Sequence, residues 1–205
     1  MRINKKKFIY LISPNKIISN NFYNDLIKVF KSKKVSFFQL RLKNAKMKNK
    51  FIIGKKVKEI CKKYNVKFII NDDPFLAKKL NADGCHLGQS DININKARII
   101  LKNKIIGITC HNSIKLAKNA IKNDADYLAF GAFNKSKTKK TRFQAKINIL
   151  HSIKKMTKIP IVAIGGINAE NYKKLLLNKA NFLAISGYIW NNKKYKPSEA
   201  IKNIK

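Results

Sequence analysis

The sequence predicts an α/β protein folded as a (β/α)8, or TIM, barrel, and three observations predict it. Eight short apolar, β-branched runs recur at near-regular intervals along 205 residues. Helix-length segments with Lys-rich faces lie between most of them. Polar side chains gather where the runs end, which is where barrels of this kind carry their reactive groups.

The runs are "FIYLIS", "VSFFQLRL", "VKFIIND", "GCHLG", "KIIGITC", "YLAFGAF", "IPIVAIGG" and "NFLAISG". Segments 51–64, 114–123 and 169–177 have helical spacing, and strands alternating with such segments indicate βαβ units and a parallel sheet. The unbroken apolar character of "PIVAIGG" suits a strand buried on both faces. An open, doubly wound sheet is the alternative that the same alternation allows. No Pro/Gly/Ser-rich linker or break in composition divides the chain. Residues 1–205 are therefore expected to form one barrel domain, shorter than the ~250 residues typical of the fold. Beyond the alternation itself, no internal similarity is evident.

Composition excludes more than it assigns. The chain has 46 Lys+Arg against 10 Asp+Glu, a formal net charge of +36. The lysines are spread along the whole length amid abundant Asn and Ile, as an AT-biased genome writes onto a solvated surface. A specific nucleic-acid partner is not expected, although a diffuse positive field draws anionic substrates. No apolar stretch approaches the ~20 residues of a membrane span. The start "MRINKKKFIYLISP" imitates a secretory leader, but its apolar run at 8–12 is short, and it reads as the first strand. Cys61, Cys85 and Cys110 show no C-x-x-C pairing and fit a reduced, cytoplasmic setting. Oligomeric state is open, and a homo-oligomer is compatible with the sequence.

The chemistry is sought at the ends of the runs. In "QLRLK", alternation places Gln39, Arg41 and Lys43 on one side and Leu40 and Leu42 on the other. Two cations and an amide on one face suit a phosphate or diphosphate, Arg as a planar fork and Lys as a point charge. Four of the ten acids fall within residues 68–91: Asp72, Asp73, Asp83 and Asp91. Asp72 and Asp91 end adjacent parallel runs and would be neighbours in space. Two such carboxylates opposite a phosphate-binding strand are the usual protein share of a Mg²⁺ site. Asp73, before Pro74, is expected to cap a helix, and Asp83 in "NADG" to serve a turn. The loop "GAFNKSKTKK" supplies Ser136, Thr138 and Lys139 to phosphate oxygens, and Lys139 to a departing diphosphate. "AIGGI" and "AISG" bring Gly165–Gly166 and Ser186–Gly187 to the same rim, where glycine lets a phosphate approach backbone N–H groups. His86 is expected to be a satisfied core histidine. His111 and His151 have no metal spacing, so no zinc is assigned.

Taken in order, "QLRLK", "IND", "ADGCHLGQSD", "GITCH", "DYLAFGAF…TK" and "IPIVAIGGI" resemble the thiamine-phosphate synthase family over almost the whole chain. That resemblance implies a Mg²⁺-dependent transferase joining 4-amino-5-hydroxymethyl-2-methylpyrimidine diphosphate to hydroxyethyl-thiazole phosphate, with release of diphosphate. It implies that Gln39, Leu40, Arg41, Leu42, Lys43, Asn71, Thr109 and Lys139 hold the pyrimidine diphosphate, and that Asp72 and Asp91 bind Mg²⁺. Ser136, Lys137, Thr138, Gly166, Ile185 and Ser186 would hold the thiazole phosphate. Arg41, Lys43 and Lys139 would stabilise the leaving group. Departures are visible: "NDD" where the family has "NDR", Thr109 where Ser is common, "KSKTK" for "P-T-x-T-K", and no glycine in "NKANFLAIS". The alternatives are a related thiazole tautomerase of the same fold, which needs no diphosphate, and a basic nucleic-acid-binding module.

Overall fold

A computed structural model describes residues 7–17, 19–135 and 143–205. Eight strands, β1 (Ile9–Ile12), β2 (Val35–Leu40), β3 (Lys67–Asn71), β4 (Gly84–Leu87), β5 (Ile105–His111), β6 (Tyr127–Gly131), β7 (Ile161–Ile164) and β8 (Phe182–Ile185), form a closed barrel. All neighbours are parallel, and β8 pairs with β1, with Ile9 opposite Leu183. Closure rules out the open sheet. A parallel neighbour is reached through a crossover, and here helices supply it: α1 (Asn21–Phe30), α2 (Met47–Lys63), α3 (Pro74–Lys79), α4 (Ile94–Leu101), α5 (Ile114–Lys122), α6 (Asn148–Met156) and α7 (Tyr172–Leu177), with α8 (Gly187–Trp190) and α9 (Pro197–Lys202) after β8.

Period-2 alternation sorts side chains between two cores. Tyr10, Phe37, Ile69, Tyr127, Val162 and Phe182 point inward and fill the barrel. Their neighbours, such as Leu11, Phe38, Ile70, Leu128 and Leu183, point outward and meet the helices. On α1 the buried set is Phe22, Leu26, Val29 and Phe30, the one-sided spacing of an amphipathic helix. Asp73 caps α3 as expected, accepting from the Leu76 N–H at 2.9 Å with Pro74 in the first turn.

The lower rim carries a repeat that the sequence reading missed. Asp83, Asp126 and Asn181 each sit just before an even-numbered strand. Each side chain accepts from a backbone N–H of the preceding strand: Phe68 at 2.9 Å, Ile106 at 2.8 Å and Ile161 at 2.8 Å. Each returns its own N–H to the carbonyl of that same residue. In sequence this is "ADG", "ADY" and "ANF", one clamp repeated at every second strand from β4 to β8. Asp83 is thus more than a turn residue, since it also pairs with Lys67 at 2.9 Å.

Six helix-to-strand turns on this rim place a non-glycine residue at positive φ: Lys33, Asn65, Asn81, Lys102, Asp124 and Lys179, with φ between 46° and 74°. Asn and Asp tolerate that region, whereas a lysine there has no local hydrogen bond to offset the Cβ clash. Lys179, at φ 74°, occupies the turn from which glycine is absent. Lys179→Gly is expected to stabilise the protein by about 1 kcal/mol, or ~2–4 °C in Tm, in thermal unfolding. A lower Tm would show that the turn is not strained.

Candidate functional site

The opposite rim collects the polar strand ends. Gln39, on the inward face of β2, is 2% exposed, and its Nε2 has no hydrogen-bond partner among the described residues. A buried donor without a partner is uncommon and calls for an explanation. Two residues on, Ser13 Oγ accepts the Arg41 N–H at 2.9 Å, and Asn15 Oδ1 accepts from the Arg41 guanidinium at 3.1 Å. Ser186 Oγ donates to the Ser13 carbonyl at 3.1 Å. Ser13 therefore ties the start of the cationic segment to the end of β8.

Two non-glycine residues of this rim also lie at positive φ, Asp72 (66°) and His111 (52°). The twist at Asp72 follows the last β3 residue, and its N–H donates to the His86 carbonyl at 2.8 Å. It brings the Asp72 carboxylate beside two groups. Lys43 Nζ stands 3.4 Å from Asp72 Oδ2. Asp91 is close enough to share a hydrogen bond with Asp72, and its pKa is raised, first by burial and then by that carboxylate neighbour. The Gly88 N–H, donating to Asp91 Oδ2 at 2.7 Å, and the charge of Lys43 pull the other way. Two carboxylates forced together beside a lysine make an acidic notch on a strongly basic molecule.

No group of three or more His, Cys, Asp or Glu gathers to hold a metal among the described residues. A pair of carboxylates suffices for an ion that takes its other ligands from water and phosphate oxygens. Their mutual repulsion is what such an ion relieves, so the residues present fit Mg²⁺.

Thr109, on β5, faces the same space from the side of β4, with its Oγ1 2.8 Å from His86 Nε2. The other imidazole nitrogen contacts Tyr127 Oη at 2.8 Å, so His86 is a satisfied histidine. Its pKa is pushed down to about 4, chiefly by burial. His111 stacks on Phe143, with ring centroids 4.2 Å apart.

The side chains of Leu40, Leu42 and Ile185 belong to the helix-facing core. Gly166 does not open onto free space. A Cβ there would stand 2.3 Å from the Lys135 carbonyl, so the missing side chain makes room for the chain that follows β6. Asn71 ends β3 opposite His86. Ser136, Lys137, Thr138 and Lys139 lie outside the described residues. Ser13, Asn15 and Gln89 were missed. Serine and asparagine directly after the first apolar run were the available signal for two of them.

A closed parallel barrel with an orphaned amide, cations and a pair of carboxylates at its strand ends has the architecture of a TIM-barrel enzyme. Residues 9–189 match the family model described as thiamine monophosphate synthase. The chain is 70% identical over 207 residues to the thiamine-phosphate synthase of Pelagibacter ubique (strain HTCC1062), with all of both chains covered. It is 37% identical over 185 residues to that of Rhodospirillum centenum (strain ATCC 51521 / SW), covering 90% of this chain and 89% of the relative. Among solved structures, the thiamine phosphate pyrophosphorylase from Pyrococcus furiosus superposes with a TM-score of 0.85 at 28% identity, over 98% of this chain and 94% of that one. Likeness to 3-hexulose-6-phosphate synthase, with a TM-score of 0.64 at 15% identity over 96% and 98% of the two chains, shows the fold alone. The chain belongs to the thiamine monophosphate synthase family.

Proposed function

We propose that this rim joins 4-amino-5-hydroxymethyl-2-methylpyrimidine diphosphate to hydroxyethyl-thiazole phosphate, making thiamine phosphate and releasing diphosphate. Synthesis of thiamine phosphate follows from the family. The assignment of residues rests on one observation, the meeting of Asp72, Asp91 and Lys43. Gln39 and Asn71 lie at the ends of the strands that would flank the pyrimidine, and the unpaired Gln39 Nε2 suits an acceptor on it. Arg41, with its backbone and guanidinium both held, points a planar fork at the diphosphate.

An aminopyrimidine pushes electrons toward its methylene carbon, so the C–O bond breaks as negative charge builds on the diphosphate. Arg41 and Lys43 stabilise that charge, as does Lys139, which stays assigned from the sequence. When bound by Asp72 and Asp91, Mg²⁺ supplies further positive charge at the leaving diphosphate. The thiazole nitrogen then closes on the methylene carbon, and no protein nucleophile is needed. Ser186, fixed by Ser13, together with the backbone at Gly166 and Ile185, holds the thiazole phosphate, a placement this fold uses repeatedly after its seventh and eighth strands.

Among the described residues no helix is long and apolar enough to cross a membrane. Three buried free cysteines suit a reducing cytoplasm, where we place the enzyme. A tautomerase would need a proton-moving histidine. His111 is stacked on Phe143 at the rim, and the paired carboxylates would then serve no end. Incubation of the protein with both substrates and Mg²⁺ is expected to yield thiamine phosphate and diphosphate together. Diphosphate without thiamine phosphate, or neither product, would overturn the reading.

A further inference from the structure

Inside the barrel runs a chain of side chains of which the coupling reaction uses only the last, Thr109. Tyr10 Oη lies 2.7 Å from Tyr127 Oη, which lies 2.8 Å from His86 Nδ1, and His86 Nε2 lies 2.8 Å from Thr109 Oγ1. The two tyrosines are at most 3% exposed. Tyr127 stacks on the imidazole, with centroids 5.6 Å apart. Gly107 makes room for it: a Cβ there would stand 1.8 Å from the phenol carbon. One end of the chain is a dead end in the core, and the other opens on the rim at Thr109. Gln89 holds Thr109 from the far side, its Nε2 donating to the Thr109 carbonyl at 2.5 Å.

Burial selects the direction in which the hydrogens point. Among the described residues the Tyr10 hydroxyl has Tyr127 as its one hydrogen-bond partner. Its hydrogen therefore points at Tyr127, since otherwise it would be a buried, unpaired donor. Tyr127, accepting from Tyr10, is left with its own hydrogen, and His86 Nδ1 is the acceptor within reach. A hydrogen on Nδ1 would strand one of the two phenol hydrogens in the core. The ring hydrogen thus sits on Nε2 and is donated to Thr109 Oγ1. Among the described residues the Thr109 hydroxyl hydrogen has no acceptor, and it turns toward the rim.

We infer that His86 is a positioning residue of the coupling reaction, fixed by Tyr10 and Tyr127 in the tautomer that makes Thr109 a hydrogen-bond donor. Thr109 then engages an acceptor on the pyrimidine diphosphate, a ring nitrogen or a diphosphate oxygen, and not the hydrogens of the amino group. The inference rests on the reading that Thr109 faces that substrate.

Two measurements test it. In ¹⁵N-labelled protein, imidazole nitrogen shifts are expected to show His86 with its hydrogen on Nε2, the signal being assigned by its loss in His86→Gln. A hydrogen on Nδ1 would overturn the inference without any turnover being measured. In kinetics, Thr109→Val is expected to lower kcat/KM for the pyrimidine diphosphate about ten-fold, the effect of one lost hydrogen bond. His86→Asn, which reaches Tyr127 but offers Thr109 no donor, should lose a similar factor, and the double variant should lose no more than either. His86→Gln, whose amide nitrogen falls near the Nε2 position, should recover part of the rate. A purely structural His86 would instead give losses that multiply and no advantage of Gln over Asn. If His86→Asn fails to fold, the tautomer in the unmodified protein decides alone. Absence of coupling in the unmodified protein would sink the functional reading, while the tautomer would still report the direction of the chain.

Discussion

Asp91→Asn is expected to abolish Mg²⁺-dependent coupling, lowering the rate about 10³-fold or more, while the metal-free protein becomes at least as stable as before. The first half follows from charge: losing several kcal/mol of stabilisation on the departing diphosphate costs that factor. The second follows from the notch itself. Asp91 is pushed against Asp72, and its raised pKa records that the folded state resists its ionisation. A group whose folded pKa lies above its unfolded value stabilises the fold below the unfolded value, ~4 for a carboxylate, and that contribution disappears as pH rises through the folded value. Metal-free protein should therefore lose stability as pH rises from ~4 through the raised folded value, and Asp91→Asn should flatten that slope. Asn retains an oxygen to accept the Gly88 N–H, so the turn survives. Mg²⁺ should raise the Tm of the unmodified protein at about pH 8 and much less at about pH 4, where protons compete for the pair. It should do nothing to the variant. Thermal unfolding with and without Mg²⁺ across pH reads all of this, and an undiminished Mg²⁺ shift in the variant would remove Asp91 from the metal site.

The strands were legible in sequence because buried parallel strands are written as continuous apolar runs, and all eight lie where such runs occur. Closure needed the structure, since alternation is the same in an open sheet. Gln39 was legible as inward because a strand's period of two leaves no freedom once one residue is placed. However, β2 ends at Leu40, and Arg41 and Lys43 lie beyond the strand from which their alternation was read. Asp73 was separable from Asp72 because Pro74 marks a helix start. The clamp of Asp83, Asp126 and Asn181 escaped because a three-residue unit in which only the alanine is constant is too short to stand out. His86 was read as a core residue, and it is one. Its link to the rim runs directly to Thr109, and its link to the core passes through Tyr127, which lies 41 residues away in sequence. The signal for that link was Gly107, a glycine inside an apolar strand, which marks a place where something large comes close.

Gln39→Met should separate what the barrel needs from what the reaction needs. Gln39 stands between Ile12 on β1 and Ile69 on β3, in surroundings where methionine packs without strain. The Nε2 it carries there is buried and has no partner among the described residues, a desolvation cost of about 1–3 kcal/mol borne by the substrate-free fold. Methionine of similar length removes that cost, so Tm is expected to rise by a few degrees, ~2–4 °C per kcal/mol at this size. Activity should move the other way, with kcat/KM for the pyrimidine diphosphate falling ~10- to 100-fold as an acceptor on the substrate loses its donor. The loss should appear mainly in KM if Gln39 holds the ground state, and mainly in kcat if the bond tightens as charge develops. A variant that is less stable and fully active would make Gln39 a packing residue. Gain in one quantity with loss in the other is the pattern of a core position kept polar for a ligand, because a side chain serving the fold alone has no reason to leave a buried donor waiting.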